Sequence, residues 1–531
     1  MYPQPRSHRP LIMGRNGVVG ANHPLAAQAG LDVLRAGGNA ADASVAVSFA
    51  LGVCEPMMSG LGGDGFYHIY MAKSGRAEVF NGTGPAPRAA SPERYGSAIP
   101  LTGPWSISVP GSLAAICAMH AAHGRLPWPD LVMPAIALAR HGFAATHTFR
   151  HFAAENEAGL AADERSRTRF LGHELAGLIR QPELARTLEE IATEGAQSFY
   201  RGRLAARLAR GLVEAGTLLS EQDLADFEPQ VQTPISVTYR GFEIRQTPPN
   251  STGFVVLQML KIIERFDVAA LAPVERVHLL VEAKKRAFRD RETHGADPRF
   301  ESVPVEHLLS DKQVGAHAGA IDLERAAELP LATQEAEGDT TYFCVIDAQG
   351  NAVSAIQSLN SAFGSGVTAG ETGVLMNNRM AYWHLEGGHA NRLMPGKRVR
   401  HTMNAPMIFK DGELWGVLGT PGGDNQVQVN IQVLVAMLDL GIDPQTAVEL
   451  PRWTSSQSGQ SANWPHDGDG ALTIESDFGE ELLGALERKG HRLNRVDHLG
   501  GPCAMQAMRL MPNGVRVAGS DTRRDGWALA Y

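Results

Sequence analysis

The chain has 531 residues, with 48 Lys and Arg against 57 Asp and Glu, and a formal net charge of -9. A hydrophobic share of 44% and a charged share of 20% are ordinary for a soluble globular protein, which excludes a disordered, collagenous or coiled-coil chain. A mildly acidic chain without a long basic run lacks the cationic face that nucleic acid requires, and no apolar stretch reaches the length of a membrane span.

The amino half is predicted to be mostly helical. Residues 18–52 predict a helix, a stop at Gly37-Gly38 and a second helix, with Pro24 in the first turn and Asn39 as a cap. The glycine-rich turn GLGGDG at 60–65 then leads into a β-like run. Further predicted elements are helices within 106–145, 183–230 and 252–295 and a hairpin at 235–247.

The carboxyl half differs in character and follows a segment at about 315–338 that is rich in Ala, Glu and Gln. We expect the tail of this segment, which ends in Gly338-Asp339, to be exposed and mobile. Residues 341–347 and 352–360 predict two strands joined by a tight turn. The remainder is predicted to be strand-rich, with glycine-rich corners and one clear helix at about 425–440.

The cysteines are far apart and form no Cys-x-x-Cys pair, so we expect reduced thiols and no zinc site; they are Cys54, Cys117, Cys344 and Cys503. The first residues carry charges but no apolar run typical of a secretory signal, so a cytoplasmic location is expected.

Two further patterns could indicate a cofactor, but neither has the required context. GLGGDG lacks the strand–GxGxxG–helix arrangement and the Lys-Ser/Thr of a phosphate loop. The pairs His120/His123 and His147/His151 have helical metal-ligand spacing but no HExxH motif. We therefore expect no metal and no cofactor.

The junction of the two halves, at Asp339-Thr340, suggests a specific chemistry. An internal threonine hydroxyl is a poor nucleophile because no base stands beside it. If the bond before Thr340 were cut, the new α-amine could act as general base for the hydroxyl of the same residue. A Thr-Thr pair that only opens a strand is the simpler interpretation, and the pair alone does not decide between the two.

Several long motifs stand in order along the chain. Residues 338–378 begin GDTTYFCVIDAQGN, residues 30–66 end SGLGGDGF, and PPNSTGF, EAKKRAFRDR and the terminal SDTRRDGWALAY follow the same pattern. Together they resemble the γ-glutamyltransferase (γ-glutamyltranspeptidase) family over about residues 17–300 and 338–531.

This resemblance implies an N-terminal-nucleophile hydrolase, an α+β fold of four αββα layers with two central antiparallel sheets. It implies self-cleavage between Asp339 and Thr340, giving a large subunit of residues 1–339 and a small subunit of 340–531 that form one intertwined unit. The expected partners are the two subunits and a small amide substrate. The oligomeric state stays open, a homodimer of such heterodimers included.

The resemblance also carries catalytic residues over one at a time. Thr340 is the nucleophile of self-cleavage and of turnover, Ser358 stands where the family has a supporting threonine, and Asn360 matches an asparagine that orients nucleophile and substrate. Gly422 and Gly423 match the glycine pair whose N–H groups form the oxyanion hole.

The positions that would hold a γ-glutamyl group depart from the family. Its carboxylate-binding Arg is Asn81 here, which cannot form a bidentate charged fork. Its ammonium-binding Asp is Tyr382. The pair His401-Thr402 replaces two serines that hold the α-carboxylate, and only Thr402 keeps a hydroxyl.

Arg379 replaces a glutamine of the family motif, and a cation there should attract a carboxylate and repel an ammonium. We therefore expect Arg379 to bind a substrate carboxylate; the alternative is that it pairs with a local acid such as Glu371.

The resemblance predicts a self-processed γ-glutamyl hydrolase or transferase that passes an acyl group from Thr340 to water or to an amine. The changes at these substrate-binding positions favour a second enzyme class, an amidohydrolase of small acidic amides, as in glutaryl-cephalosporin acylases and oxamate amidohydrolase. An unprocessed relative without enzymatic activity is the alternative of another class.

Overall fold

The computed structural model describes residues 7–330, 339–466 and 468–531. Its strands are β1 Ile12–Gly14, β2 Gly17–Ala21, β3 Asp64–Met71, β4 Arg76–Asn81, β5 Phe143–Ala144, β6 Leu178–Ile179, β7 Gln230–Gln232, β8 Ile235–Tyr239, β9 Phe242–Gln246, β10 Asp339–Asp347, β11 Ala352–Asn360, β12 Met407–Lys410, β13 Glu413–Gly419, β14 Trp453–Ser455, β15 Leu472–Glu475, β16 Leu493–Val496, β17 Gln506–Leu510, β18 Arg516–Ser520 and β19 Trp527–Ala530.

The helices follow the same chain order. They are α1 Pro24–Arg35, α2 Ala40–Cys54, α3 Pro92–Tyr95, α4 Ser112–His123, α5 Trp128–His141, α6 His147–Glu155, α7 Glu157–Ala161, α8 Glu164–Phe170, α9 Pro182–Glu194, α10 Arg203–Ala215, α11 Glu221–Ala225, α12 Gly253–Ile263, α13 Pro273–His294, α14 Val305–Leu308, α15 Asp311–Gly319, α16 Asn425–Leu438, α17 Pro444–Glu449 and α18 Glu480–Arg488.

Two large antiparallel sheets pack face to face. Sheet I has the strand order β19-β2-β10-β11-β3-β4-β7, and sheet II has the order β1-β18-β17-β13-β12-β9-β8. Helices α1, α2 and α4 cover the outer face of sheet I, and α12, α16 and α17 cover that of sheet II. The four αββα layers of an N-terminal-nucleophile hydrolase fold are thereby confirmed.

Both sheets take strands from either side of the Asp339-Thr340 bond. In sheet I, β10 and β11 lie between β2 and β3, and in sheet II, β8 and β9 extend the edge formed by β12. Neither half of the chain can complete either sheet by itself, because the neighbours of its strands come from the other half.

Strand β10 shows how one sequence serves two layers. Phe343 and Val345 pack into the core between sheet I and its helices, whereas Tyr342, Cys344 and Ile346 pack between the two sheets. Successive side chains of a strand point to opposite faces, and both faces of β10 are covered, so its central residues 342–346 form an uninterrupted apolar run.

The predicted start of the fold is confirmed in detail. Pro24 opens α1, and α2 begins with a capping box in which Asn39 Oδ1 accepts from the N–H of Asp42 at 3.1 Å and Asp42 Oδ2 accepts from the N–H of Asn39 at 2.9 Å. Nearly every side chain of α2 is buried, which explains its small and mostly apolar residues.

Two predictions for the second half are corrected. Residues 340–531 contain α17 and α18 in addition to the predicted helix near 425–440. Both helices are short, so the hydrophobic periodicity that would predict them from the sequence is weak. The stretch 361–404, predicted to be strand-rich, consists of turns and 3-10 helices with isolated bridges. Helix α15 includes the start of the segment at about 315–338. Of the tail predicted to be exposed and mobile, residues 331–338 lie outside the described residues.

Candidate active site

The pairing of β10 with β11 places the predicted nucleophile beside a hydroxyl. The ladder shifts between Asp339 and Thr341, and at this irregularity Thr340 Oγ1 donates to Ser358 Oγ at 3.2 Å. The backbone N–H of Asn360 donates to the same Ser358 oxygen at 2.7 Å. Thr340 is only 2% exposed and Ser358 is fully buried. The hydrogen bond to Ser358 therefore fixes the direction of the Thr340 hydroxyl.

Asn360 joins this strand pair to the segment that faces it. Its Nδ2 donates to the carbonyl of Asn378 at 3.1 Å and to Asn463 Oδ1 at 2.8 Å, and its Oδ1 accepts from Arg379 Nη1 at 3.1 Å. Its φ is +89°, an uncommon conformation for a residue other than glycine. Such a backbone persists only where the surroundings fix it.

A buried ion pair lies next to Asn360. Arg379 Nε donates to Asp64 Oδ2 at 2.9 Å, and His401 Nε2 lies 3.3 Å from the same oxygen. The other carboxylate oxygen accepts from the N–H of Gly84 at 2.9 Å. Arg379 pairs with Asp64 rather than with Glu371, which is exposed. The alternative interpretation, in which Arg379 pairs with an acid of the chain, is therefore met by Asp64 in place of Glu371.

The protonation states in this cluster follow from burial and pairing. Burial alone would raise the pKa of Asp64, but the hydrogen bond with His401 and the charge of Arg379 outweigh it, and the pKa lies below its usual value. Burial, assisted by the Arg379 charge, lowers the pKa of His401 to about 4. At neutral pH the cluster holds a carboxylate, a guanidinium and a neutral imidazole.

Two polar atoms of the cluster are left without partners among the described residues. They are Arg379 Nη2 and His401 Nδ1, both buried. Because Nε2 of His401 donates to Asp64, Nδ1 of the neutral ring is an acceptor. A buried guanidinium nitrogen without an acceptor is costly, so Arg379 Nη2 is suited to receive an acceptor group from a substrate.

Tyr382 and Thr402 lie beside Arg379 and complete this cluster. The guanidinium of Arg379 lies 4.5 Å from the centre of the Tyr382 ring, and the Tyr382 hydroxyl is 3.2 Å from Thr402 Oγ1. Both residues are only 2% exposed. Four of the predicted substrate-binding residues, namely Arg379, Tyr382, His401 and Thr402, are thus brought together.

Asn81 is located in a neighbouring polar network. Its Nδ2 donates to Asn250 Oδ1 at 2.9 Å and to Gln232 Oε1 at 3.1 Å, and its Oδ1 accepts from Thr83. The backbone carbonyl of Asn250 accepts from the N–H of His401 at 2.7 Å. Asn81 therefore connects to the cluster through Asn250, with its amide engaged inside the protein.

The predicted oxyanion-hole glycines form the turn between β13 and α16. Gly422 and Gly423 have φ values of +115° and +52°, and a Cβ on Gly422 would lie 2.3 Å from the Sγ of Cys503. Only glycine fits there. Neither N–H donates a hydrogen bond to any residue in the described ranges, so both are available to a developing oxyanion.

Two site residues were not found by the sequence reasoning. Asp64 lies inside GLGGDG, where a single acid among glycines was its only signal, and a Cβ on the adjacent Gly63 would lie 2.4 Å from the carbonyl oxygen of Ser358. Asn463 lies more than a hundred residues after its partner Asn360, and no local pattern marks it.

The described residues contain one group that could bring three metal ligands together, namely Glu292, His384 and His389. The two imidazoles are stacked, with centroids 3.6 Å apart and planes at 12°, so their in-plane lone pairs run parallel rather than converging. His389 Nδ1 accepts from the N–H of Asn391 at 3.0 Å, which leaves Nε2 protonated and bonded to Glu292. With Arg400 also 3.0 Å from Glu292, the donor set suits a hydrogen-bonded cluster rather than a metal.

Among the described residues no helix combines the length and the apolar composition that a bilayer crossing would require.

Comparison with known proteins agrees with this architecture. The family model described as Gamma-glutamyltranspeptidase matches residues 26–531. A glutathione hydrolase-like YwrD proenzyme of Bacillus subtilis (strain 168) is 36% identical over 98% of this chain and 99% of its own. An acylase ACY 1 proenzyme of Pseudomonas sp. (strain V22) is 35% identical over 97% and 94%. The crystal structure of a cephalosporin acylase from Bacillus halodurans superposes with a TM-score of 0.91 at 33% identity, covering 100% and 98% of the two chains.

The fold, the motifs and these relatives agree, and the chain belongs to the gamma-glutamyltranspeptidase family of amide-cleaving N-terminal-nucleophile hydrolases.

Proposed function

We propose that the chain cuts itself before Thr340 and then hydrolyses the amide bond of an acyl group that carries a carboxylate but no α-ammonium. Thr340 Oγ attacks the amide carbonyl while its proton passes to the free α-amine of the same residue. The N–H groups of Gly422 and Gly423 stabilise the oxyanion. The C–N bond breaks, the amine leaves with that proton, and water releases the acid from the acyl-enzyme.

The single observation that carries the substrate class is the buried Arg379 Nη2. It lacks a partner among the described residues, while the rest of the guanidinium is held by Asp64 and Asn360. A substrate carboxylate would make a charge-assisted hydrogen bond there. The Asp64 carboxylate is already engaged by Arg379, His401 and Gly84, so it does not offer an ammonium site.

The relatives are compatible with this class, since two of those compared are named acylases. The relative from Bacillus subtilis is named glutathione hydrolase-like, which keeps γ-glutamyl transfer as the competing outcome. The two functions differ in whether the α-ammonium of the acyl group improves or weakens turnover.

The first test is processing. Purified protein should give two chains, the second beginning at Thr340, whereas Thr340→Ala should remain one chain of 57.0 kDa without activity. Thr340→Ser keeps a hydroxyl and should retain both properties in part. An active Thr340→Ala enzyme, or a second chain that begins elsewhere, would contradict the mechanism. An unprocessed wild-type chain without activity would favour the non-enzymatic alternative.

The second test is a matched panel of anilides. Glutaryl anilide offers a carboxylate, γ-glutamyl anilide adds the ammonium, and pentanoyl anilide has neither charge. We expect the highest kcat/KM for the glutaryl substrate, and we expect Arg379→Ala to raise KM sharply for that substrate but not for the pentanoyl one. A preference for the γ-glutamyl substrate, or kinetics unchanged by Arg379→Ala, would overturn the proposed substrate class.

A further inference from the structure

The connection between β14 and β15, residues 456–471, is long for two antiparallel strands that pair directly. Most hairpin loops are much shorter, and longer ones are usually functional. Four of its polar residues are buried, although the described residues of the segment form no helix or strand; they are Gln457, Gln460, Asn463 and His466. We refer to residues 456–466 of this connection as the β14–β15 loop.

Asn463, at the innermost part of this loop, contacts the site directly. It is fully buried. Its Oδ1 accepts from Asn360 Nδ2 at 2.8 Å, and its Nδ2 donates to Ser361 Oγ at 3.3 Å. Because the other hydrogen of Asn360 Nδ2 goes to the Asn378 carbonyl, the amide nitrogen of Asn360 is fully used. Its oxygen must then face Arg379.

The orientation of Asn360 affects both the predicted nucleophile and the arginine proposed to bind the substrate. Through its backbone, Asn360 donates to the Ser358 oxygen that receives the Thr340 hydroxyl. Through its side-chain oxygen, it holds Nη1 of Arg379. An Asn360 amide rotated by half a turn would present its NH₂ group to the guanidinium, donor against donor. Asn463 is the side-chain acceptor that opposes this rotation.

The loop itself is fastened by buried cations of α13. Lys284 Nζ donates to the carbonyl of Ser455 at 2.7 Å and to the Gln460 side chain, and Arg291 Nη2 donates to the carbonyl of Gln460 at 2.6 Å. The N–H of Trp464 donates to the carbonyl of Ala381 at 2.6 Å. Buried cations require such partners, so the position of the loop is coupled to the helix.

We propose that Asn463 is a positioning residue, which sets the orientation of the Asn360 amide and through it the direction of Arg379. This proposal rests on the proposed function, because it assigns Asn463 to the same acyl-transfer site. It adds a residue from a distant loop that acts on the reaction without touching the reacting atoms.

The test compares Asn463→Leu with Asn463→Asp, measured as kcat/KM for glutaryl anilide on processed enzyme. Leucine removes the acceptor at similar volume, so we expect a loss of at least tenfold. Aspartate still accepts from Asn360 Nδ2 and can receive the Ser361 hydroxyl hydrogen, so we expect it to remain within about threefold of wild type. Ser458→Ala, at an exposed position of the same loop, is the matched control and should be unchanged.

A double-variant comparison separates positioning from general damage. If Asn463 acts through Asn360, then Asn463→Leu should lower kcat/KM by less than twofold when Asn360→Ala is already present. A full, additive loss in that background would overturn the proposal, as would a change of less than twofold for Asn463→Leu alone. If the leucine variant does not process, Asn463→Ala takes its place under the same criteria.

The proposed function is tested by outcomes that do not depend on Asn463. An active Thr340→Ala enzyme or a preference for the γ-glutamyl substrate would contradict the proposed function, whatever the Asn463 variants do. An equal response of Asn463→Asp and Asn463→Leu would overturn the positioning role even if Thr340 is the nucleophile.

Discussion

The strand pair β10–β11 and the segment 376–404 face each other across the site, but they hold their residues by different means. In the strand pair, backbone register places Thr340 beside Ser358. In the facing segment, turns and 3-10 helices predominate, and side chains such as Asn377 provide the backbone's partners. A ladder tolerates side-chain exchange better than a network in which every member is a partner of another.

This difference predicts that the largest loss of stability comes from the ion pair that joins Arg379 of the facing segment to Asp64 of β3. Asp64→Asn leaves Arg379 buried without a counter-ion and should lower the free energy of unfolding by about 3–5 kcal/mol, because an unpaired buried charge is strongly unfavourable. Chemical denaturation of the processed enzyme measures this loss. Asp64→Asn combined with Arg379→Gln removes both charges and should lose less than the two single variants summed; full additivity would show that the pair is not coupled.

The turn at Gly422 should show the next largest effect, on activity. Gly422→Ala brings a Cβ against Cys503 in a left-handed backbone, which displaces an N–H donor of the kind worth about 2.7–4 kcal/mol in acyl transfer. We expect kcat to fall by about 10²–10³-fold. Gly441 has a φ of +65° and open space around it, so Gly441→Ala is a control for backbone strain alone. Equal kcat losses at both glycines would contradict an oxyanion role for Gly422.

Within the strand pair, Ser358→Ala should have a similar or somewhat smaller effect. It removes the acceptor of the Thr340 hydroxyl and of the Asn360 N–H but leaves the ladder intact. We expect kcat to fall by about 10²-fold and the free energy of unfolding to fall by about 1–3 kcal/mol, less than for Asp64→Asn. Ser358→Thr restores the hydroxyl and should recover most of the activity. If the alanine variant unfolds at much lower temperature, the strand pair depends on side chains as the facing segment does.

The effect that is smallest at neutral pH is that of His401, because it appears only as the pH falls. The pKa of His401 is about 4 in the folded protein and about 6.5 in an unfolded chain, so the unfolded state takes up the proton first. The stability that comes from the neutral ring is complete above pH 6.5 and is lost as the pH falls towards 4. This one residue contributes a slope of at most about 1.4 kcal/mol per pH unit.

His401→Gln should therefore flatten the decline in unfolding free energy between pH 6.5 and pH 4. The exposed His147→Gln is the matched control. An unchanged slope in His401→Gln would show that the ring is not held neutral by burial.

The sequence by itself determined the parts that depend on local chemistry and on long motifs. The capped helices α1 and α2, the hairpin β10–β11 with Thr340 at its head, and the turn at Gly422-Gly423 were all readable, because capping residues, strand alternation and glycine pairs act on near neighbours. The family followed from motifs spread over most of the chain.

The tertiary structure decided the contacts between distant residues. Asp64, not Glu371, neutralises Arg379, and Asn463 reaches Asn360 from a loop with no recognisable pattern. The two residues of each pair are more than a hundred residues apart in the sequence, and burial makes the loss of either contact costly. Local spacing in the sequence indicates neither the contact between distant residues nor their burial. Candidate catalytic residues could therefore be proposed from the sequence, whereas the hydrogen bonds that join them to distant residues could not.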